Sequence, residues 1–127
     1  MTAIGSVEWF DSVRGALGSI ELGNETAQIS YAVEKTPEGK VTWTENWVAG
    51  TLDELTTGAS KQADVAFTLK WPDFLVFASA ERSPSALFMQ GRLKMSGDMQ
   101  SLLGLLPHMD GEAYRGALAQ IGSSTDR

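Results

Sequence analysis

Residues 63–99 read ADVAFTLKWPDFLVFASAERSPSALFMQGRLKMSGDM, and the punctuation of this stretch decides the fold. Val65, Phe67 and Leu69 alternate with Asp64, Thr68 and Lys70, the period of two expected of a strand with one buried face. Pro72 ends that strand because it has no amide hydrogen for a ladder, and its fixed φ suits the first turn of a helix. Phe74, Phe77 and Ala78 then share one helical face. Ser83-Pro84 repeats the signal, a capping serine followed by a proline at the first helical position, and opens a short helical segment over 85–90 that Gly91 ends. Arg92 to Ser96 alternates again, with Leu93 and Met95 on one side.

Upstream, Ala27, Ile29, Tyr31 and Val33 alternate with Gln28, Ser30 and Glu34, which predicts a strand over 27–35. Thr36-Pro37-Glu38-Gly39 is a turn. A second strand follows over 41–49, with Val41, Trp43, Glu45 and Trp47 on one face. The turn is too short for a parallel crossover, so the two strands form an antiparallel hairpin. Residues 51–57 are ambiguous and suit a third, weak strand. At the N-terminal end, Val7, Phe10, Val13 and Leu17 recur at spacings of three and four behind Ser6, predicting a capped helix whose end Gly15 and Gly18 weaken.

Downstream, Asp98 caps a run in which Met99, Leu102, Leu103, Leu105 and Leu106 fill much of a helix circumference. Pro107 is expected to break this helix. Asp110 is expected to cap a terminal one, with Tyr114, Leu118 and Ile121 stacked and Gly122 as its terminating residue. Helices and strands are interspersed while the early strands are joined by a tight turn. The class is therefore α+β with a mainly antiparallel sheet, one face carrying the helices and the other meeting water.

The chain has 127 residues, enough for a single domain over 1–127 with one core. Apolar residues make up 43% and charged residues 20%, a globular composition. It has no cysteine, which excludes thiolate zinc sites and thiol nucleophiles and weakly favours a reducing compartment. Ten basic residues against 16 acidic ones give a net charge of -6 without a cluster of Lys and Arg, so no nucleic-acid partner is expected. No apolar run is long enough for a transmembrane segment. MTAIGSVEWF lacks a basic start followed by an apolar stretch, so no secretory signal is expected and the cytoplasm is the expected location.

Chemistry-bearing patterns are sparse. The one histidine, His108, follows Pro107 and is not linked by sequence to a nucleophile. The 13 glycines form no phosphate-binding motif. Asp98, Asp110 and Glu112 do not follow calcium-loop spacing, and Arg92 and Lys94 read as the wet side of a strand. No catalytic residue, metal site or cofactor is expected. Glu45 is the exception to the pattern, an acid between Trp43 and Trp47 on a face that should be apolar. A register shift, a bulge or a partly wet face would account for it, and so would a polar anchor inside a cavity. The last third is rich in leucine and methionine, and methionine adapts to irregular apolar shapes. A packed core, a partner surface and an apolar ligand are three ways to cover it.

The segments ADVAFTL, DFLVFASAE, SPSALFMQG and RLKMSGDM within residues 63–99 resemble the sterol carrier protein type 2 (SCP-2) family, and the upstream hairpin and final helix suit its layout. The resemblance implies a five-stranded, mainly antiparallel sheet covered on one face by helices. It also implies non-catalytic binding, with or without transfer, of a fatty acid, acyl-CoA, sterol or phospholipid in an apolar tunnel between the layers. By position it places Phe74 and Phe77 on the helix over the sheet, and Leu87, Met89 and Gln90 near the cavity. Met99, Leu102, Leu103 and Leu106 would wall the tunnel from the C-terminal side. Gln90 would orient a ligand head group or serve as a capping residue. Gly104 and Pro107 point to the C-terminal helices as a gate. The implied partner is a lipid or other apolar small molecule, with transient membrane contact or a homodimer as further options. Two alternatives are a non-enzymatic interaction or dimerisation module with a collapsed cavity, and a small enzyme or accessory subunit acting on an apolar substrate. For the enzyme, Glu45 and His108 are the pair whose placement matters.

Overall fold

The computed structural model describes residues 2–126. Helix α1 spans Val7–Gly18 and is followed by strands β1 (Ala27–Thr36), β2 (Gly39–Val48), β3 (Thr51–Thr57) and β4 (Val65–Lys70). Then come α2 (Trp71–Ser79), α3 (Pro84–Met89), β5 (Leu93–Gly97), α4 (Met99–Met109) and α5 (Glu112–Ser123). The five strands form one sheet in the order β3-β2-β1-β4-β5. The class is α+β and the sheet is mostly antiparallel, as expected from the sequence, with one parallel pair at its centre, β1 beside β4.

That parallel pair comes from the segment after β3. It runs across the outer face of the sheet instead of turning straight back. The Thr44 hydroxyl donates to the Gly58 carbonyl at 2.8 Å, and Ser30 Oγ accepts the Ser60 N–H at 3.0 Å. The Asp64 carboxylate then takes the Gln28 N–H at 2.7 Å and sets the register of β4 against β1. Ser30 and Thr44 are buried by this strap although they lie on the outer face. The outer face is therefore only partly wet, and the two hydroxyls exchange a hydrogen bond with each other at 3.1 Å.

The inner face carries Ile29, Tyr31 and Val33 from β1, Val41, Trp43 and Trp47 from β2, and Val65, Phe67 and Leu69 from β4, all buried. Tyr31 stacks on Trp43 at 5.0 Å and meets the edge of Phe67 at 5.2 Å. Helix α1 closes one end of this face. Ser6 Oγ accepts the Trp9 backbone N–H at 3.1 Å, the expected cap, and the helix continues through Gly15 to Gly18. Its buried side is Trp9, Phe10, Val13, Ala16 and Leu17, whereas Val7, expected on that side, is 75% exposed. Trp9 reaches the sheet, 5.2 Å from Trp43, and its indole N–H donates to the Thr125 hydroxyl at 2.9 Å, tying α1 to the chain's C-terminal end.

Three expectations for the C-terminal half are corrected. Helix α4 is not broken at Pro107 but runs through it to Met109, since a proline within the last turn forfeits few helical bonds. Asp110 does not cap α5. It ends α4, and its carboxylate instead accepts the backbone N–H of Ser85, at 3.2 Å, and the Ser85 hydroxyl, at 2.5 Å, so α3 is pinned to the α4–α5 corner; Gly111 precedes α5. Gly122 does not terminate α5 but lies inside it, where a Cβ would come within 2.2 Å of the Ala78 carbonyl oxygen. Only glycine lets α5 approach α2 this closely. Arg115 reinforces the contact, donating to the Ala80 carbonyl at 2.6 Å.

Candidate ligand-binding site

Between the sheet and its helices lies a small cavity, lined by Trp9, Val13 and Leu17 of α1, Tyr31, Trp43 and Glu45 of the sheet, Phe74 and Phe77 of α2, and Leu118 and Ile121 of α5. Its volume is about 10 Å³, room for about one water molecule. Every lining residue is buried. Aromatic rings stand close around it: Phe74 lies 6.3 Å from Trp9 and 6.2 Å from Trp43, and Tyr31 lies 6.2 Å from Phe77.

Glu45 is the one acid in this lining and is 2% exposed. It projects from β2 on the inner face, opposite Ile29 of β1 and Leu55 of β3. Trp43 and Trp47, two residues before and after it, share its face because side chains along a strand alternate. Their indole N–H groups close on the carboxylate from both sides, Trp43 donating to Oε2 and Trp47 to Oε1, each at 3.0 Å. Of the accounts open at the level of sequence, a wet face is overturned by this burial. The register is also regular at Glu45, the irregularity between β2 and β3 falling after Asn46. Desolvation pushes the carboxyl from its ordinary 4.5 up to about 7, against the two indole bonds, which lower it. Close by, the hydroxyls of Tyr31 and Tyr114 share a buried hydrogen bond at 2.6 Å. Burial, first, and then the neighbouring charges raise both tyrosines well above their ordinary value, so both stay neutral.

The expected site residues fall into three places. Phe74 and Phe77 line the cavity. Leu87 and Leu102 are buried and Leu106 is half-buried against the same core, but none of them touches the cavity. Met89, Met99 and Leu103 face outward, at 85%, 62% and 62% exposure, and Phe88 joins them on α3. Gln90 is exposed and ends α3, its backbone N–H bonded to the Ala86 carbonyl at 3.1 Å. Sequence reasoning missed the contributions of α1 and α5. The spacing of Val13 and Leu17, and of Leu118 and Ile121, showed their helical faces but not the direction those faces take. Glu45 and His108 are not brought together. His108 is 40% exposed, 3.9 Å from the Glu25 carboxylate, and does not line the cavity. Among the described residues no group of three or more His, Asp or Glu side chains gathers to hold a metal ion, and no helix is long and apolar enough to cross a membrane.

Comparison with known proteins adds to this geometry. Residues 23–107 match the SCP-2 sterol transfer family. A solution structure of a conserved hypothetical protein from Thermus thermophilus, described as a possible sterol carrier protein, superposes with a TM-score of 0.75 at 11% identity over 95% of this chain and 91% of that one. A crystal structure of sterol carrier protein 2 gives 0.71 at 13% identity over 97% and 99%. A solution structure of palmitated SCP2L2 from Aedes aegypti gives 0.62 at 18% identity over 84% and 96%. At such identities these likenesses speak for the fold alone. No curated protein matches the chain.

Proposed function

This chain belongs to the SCP-2 sterol transfer family, and from that premise we propose that it is a non-catalytic carrier, a single domain over 1–127 holding a lipid between its sheet and its helices. The family membership supports binding or transfer of sterols or other lipids in general, and the palmitate in the Aedes aegypti relative supports an acyl chain as one form of cargo. The observation that carries the reading to this chain is the buried cavity itself. It lies between the two layers and is lined by apolar and aromatic residues, with the Glu45 carboxyl and the Tyr31 hydroxyl among them, a make-up common to small-molecule sites.

A cavity of about 10 Å³ holds no acyl chain, so binding must part the layers. The sheet is the fixed floor. The ligand displaces Phe74, Phe77 and the α5 residues Leu118 and Ile121. Met89, Met99 and Leu103, on the touching helices α3 and α4, form the oily rim that an incoming chain meets first. Leu87, Leu102 and Leu106 form the passage below it, with Gln90 at its outer end. Each buried methylene contributes about 0.8 kcal/mol, so about ten of them give a gross term near 8 kcal/mol, from which the cost of opening and ordering is subtracted. A cytoplasmic setting suits the chain's charge and lack of cysteine.

The same near-filled cavity, together with the exposed Phe88, Met89, Met99 and Leu103, favours a second reading, an interaction module that pairs through this patch. Native mass spectrometry followed by solvent extraction separates the two. A carrier shows a protein mass increased by a lipid that the extract then identifies. A lipid-free dimer, with no displacement of a neutral dye by any lipid, ends the carrier reading.

A further inference from the structure

The chamber described above is oily except at Glu45 and the Tyr31 hydroxyl, and the carboxylate is the feature that packing alone does not explain. A leucine or methionine at that point in β2 would fill the space without the cost of taking a carboxyl out of water. Each carboxylate oxygen takes a single indole donor, Oε2 from Trp43 and Oε1 from Trp47, both at 3.0 Å. An ionised carboxylate accepts about four hydrogen bonds, so acceptor capacity is left over where Glu45 lines the cavity. No Lys, Arg or His is among the lining residues. The indoles lock the rotamer; of the other polar hydrogens in the lining, the Trp9 indole N–H is taken by the Thr125 hydroxyl and the Tyr31 phenol shares a hydrogen bond with Tyr114 in which either hydroxyl can be the donor.

Resting on the carrier reading, we propose that Glu45 is the polar anchor of the chamber and selects lipids that end in a neutral hydroxyl, long-chain alcohols in the simplest case, over free fatty acids of the same length. A hydroxyl donates to the spare lone pair of Glu45 while its chain lies against Phe74, Phe77 and Leu118. A fatty-acid anion brings a second negative charge against the first, inside a medium that screens it poorly. Its one relief is a proton shared between the two carboxyls. The titratable groups that face Glu45 are Tyr31 of β1 and Tyr114 of α5, both held neutral by burial, and its neighbours from α1 and α2 in the cavity wall are apolar or aromatic. Acid binding therefore tracks the protonation of Glu45 and weakens as pH rises through about 7, while alcohol binding changes little.

The test uses the full chain and displacement of a neutral polarity-sensitive dye by dodecanol and by dodecanoate. At a pH of about 8.5 the alcohol should bind about tenfold more tightly than the acid, and the gap should narrow several-fold on going to about pH 6, where free dodecanoate remains mostly ionised. In Glu45→Gln the alcohol-to-acid ratio should drop below about threefold and lose its pH dependence. Equal or tighter binding of the acid at the higher pH, or a ratio that stays constant with pH, overturns the anchor while leaving the carrier reading intact. So does a folded Glu45→Gln protein with an unchanged ratio. Displacement by neither ligand ends the carrier reading and the anchor with it. Should the variant not fold, the pH series on the wild-type chain decides.

Discussion

Leu69 on β4 and Leu103 on α4 are the same side chain with opposite fates: the first is walled in between sheet and helices, the second stands in water. The contrast extends to their neighbourhoods. On the sheet's inner face Ile29, Tyr31, Trp43, Phe67 and Leu69 are all buried, and the rings interlock at 5–6 Å. Along α3 and α4, Leu87, Leu102, Leu105 and Met109 turn inward while Phe88, Met89, Met99 and Leu103 do not. A strand of a one-sided sheet has a face that is covered as soon as the helices dock. A short helix at the margin of that layer can bury only a stripe, so an all-round apolar helix there leaves a surplus outside. The inner face of the sheet has no such surplus, because its cover is continuous.

The largest expected effect tests the first of these regions. Phe67→Ala should cost about 3–5 kcal/mol, because a fully buried ring leaves a cavity in a packed core. Urea denaturation measures it, and a loss under about 1 kcal/mol would mean that the inner face is far looser than described. Next in size is the buried acid of that same face. The folded protein holds the Glu45 proton up to about pH 7, whereas an ordinary carboxyl loses it near 4.5. Between those two values the folded state binds more protons than the unfolded one, so stability falls as pH rises across the window and levels off above it. The difference between wild type and Glu45→Gln should change by about 3 kcal/mol over the window, in the direction that favours the variant at the alkaline end. A parallel pair of pH–stability curves would refute the burial of that charge.

The remaining predictions address α3 and α4. Charging the rim with Met89→Glu, Met99→Glu and Leu103→Glu together should slow lipid uptake about tenfold in stopped-flow transfer from neutral vesicles, since the first apolar contact is lost. If uptake is unchanged, the lipid reaches the chamber by another route. The smallest effect is Leu103→Ser alone, which should move stability by no more than about 0.5 kcal/mol, the ordinary figure for an exposed site. A loss several times larger would show that Leu103 is covered in solution, as the dimer reading requires.

Much of this was open to a reader of the sequence, and the gaps have identifiable causes. The alternation of Val65, Phe67 and Leu69, the Pro72 and Ser83-Pro84 signals, and the turn at Pro37-Glu38 placed the strands and helices close to where they lie, because each is a local rule of period or backbone geometry. At Pro107, Asp110 and Gly122 local rules misled. Tertiary partners decided two of those positions: Ser85 for Asp110 and the α2 backbone for Gly122. Val7 fitted the helical period of α1 yet faces water, because Trp9 took the sheet-facing place. Of the expected site residues only Phe74 and Phe77 line the cavity. The others were placed by their oiliness, and oiliness does not say whether a side chain points in or out.

By itself the sequence determined the kinds of element and their order, since these depend on neighbours two to four positions apart, and it carried the family resemblance within residues 63–99. Only the tertiary structure decided that β1 and β4 run parallel under an outer strap, that two tryptophans clamp Glu45 out of water, and that the methionines Met89 and Met99 stay exposed. The reason is physical. Burial and the cost of a buried charge are set by whatever covers a residue, and the groups that do the covering come from elsewhere in the chain.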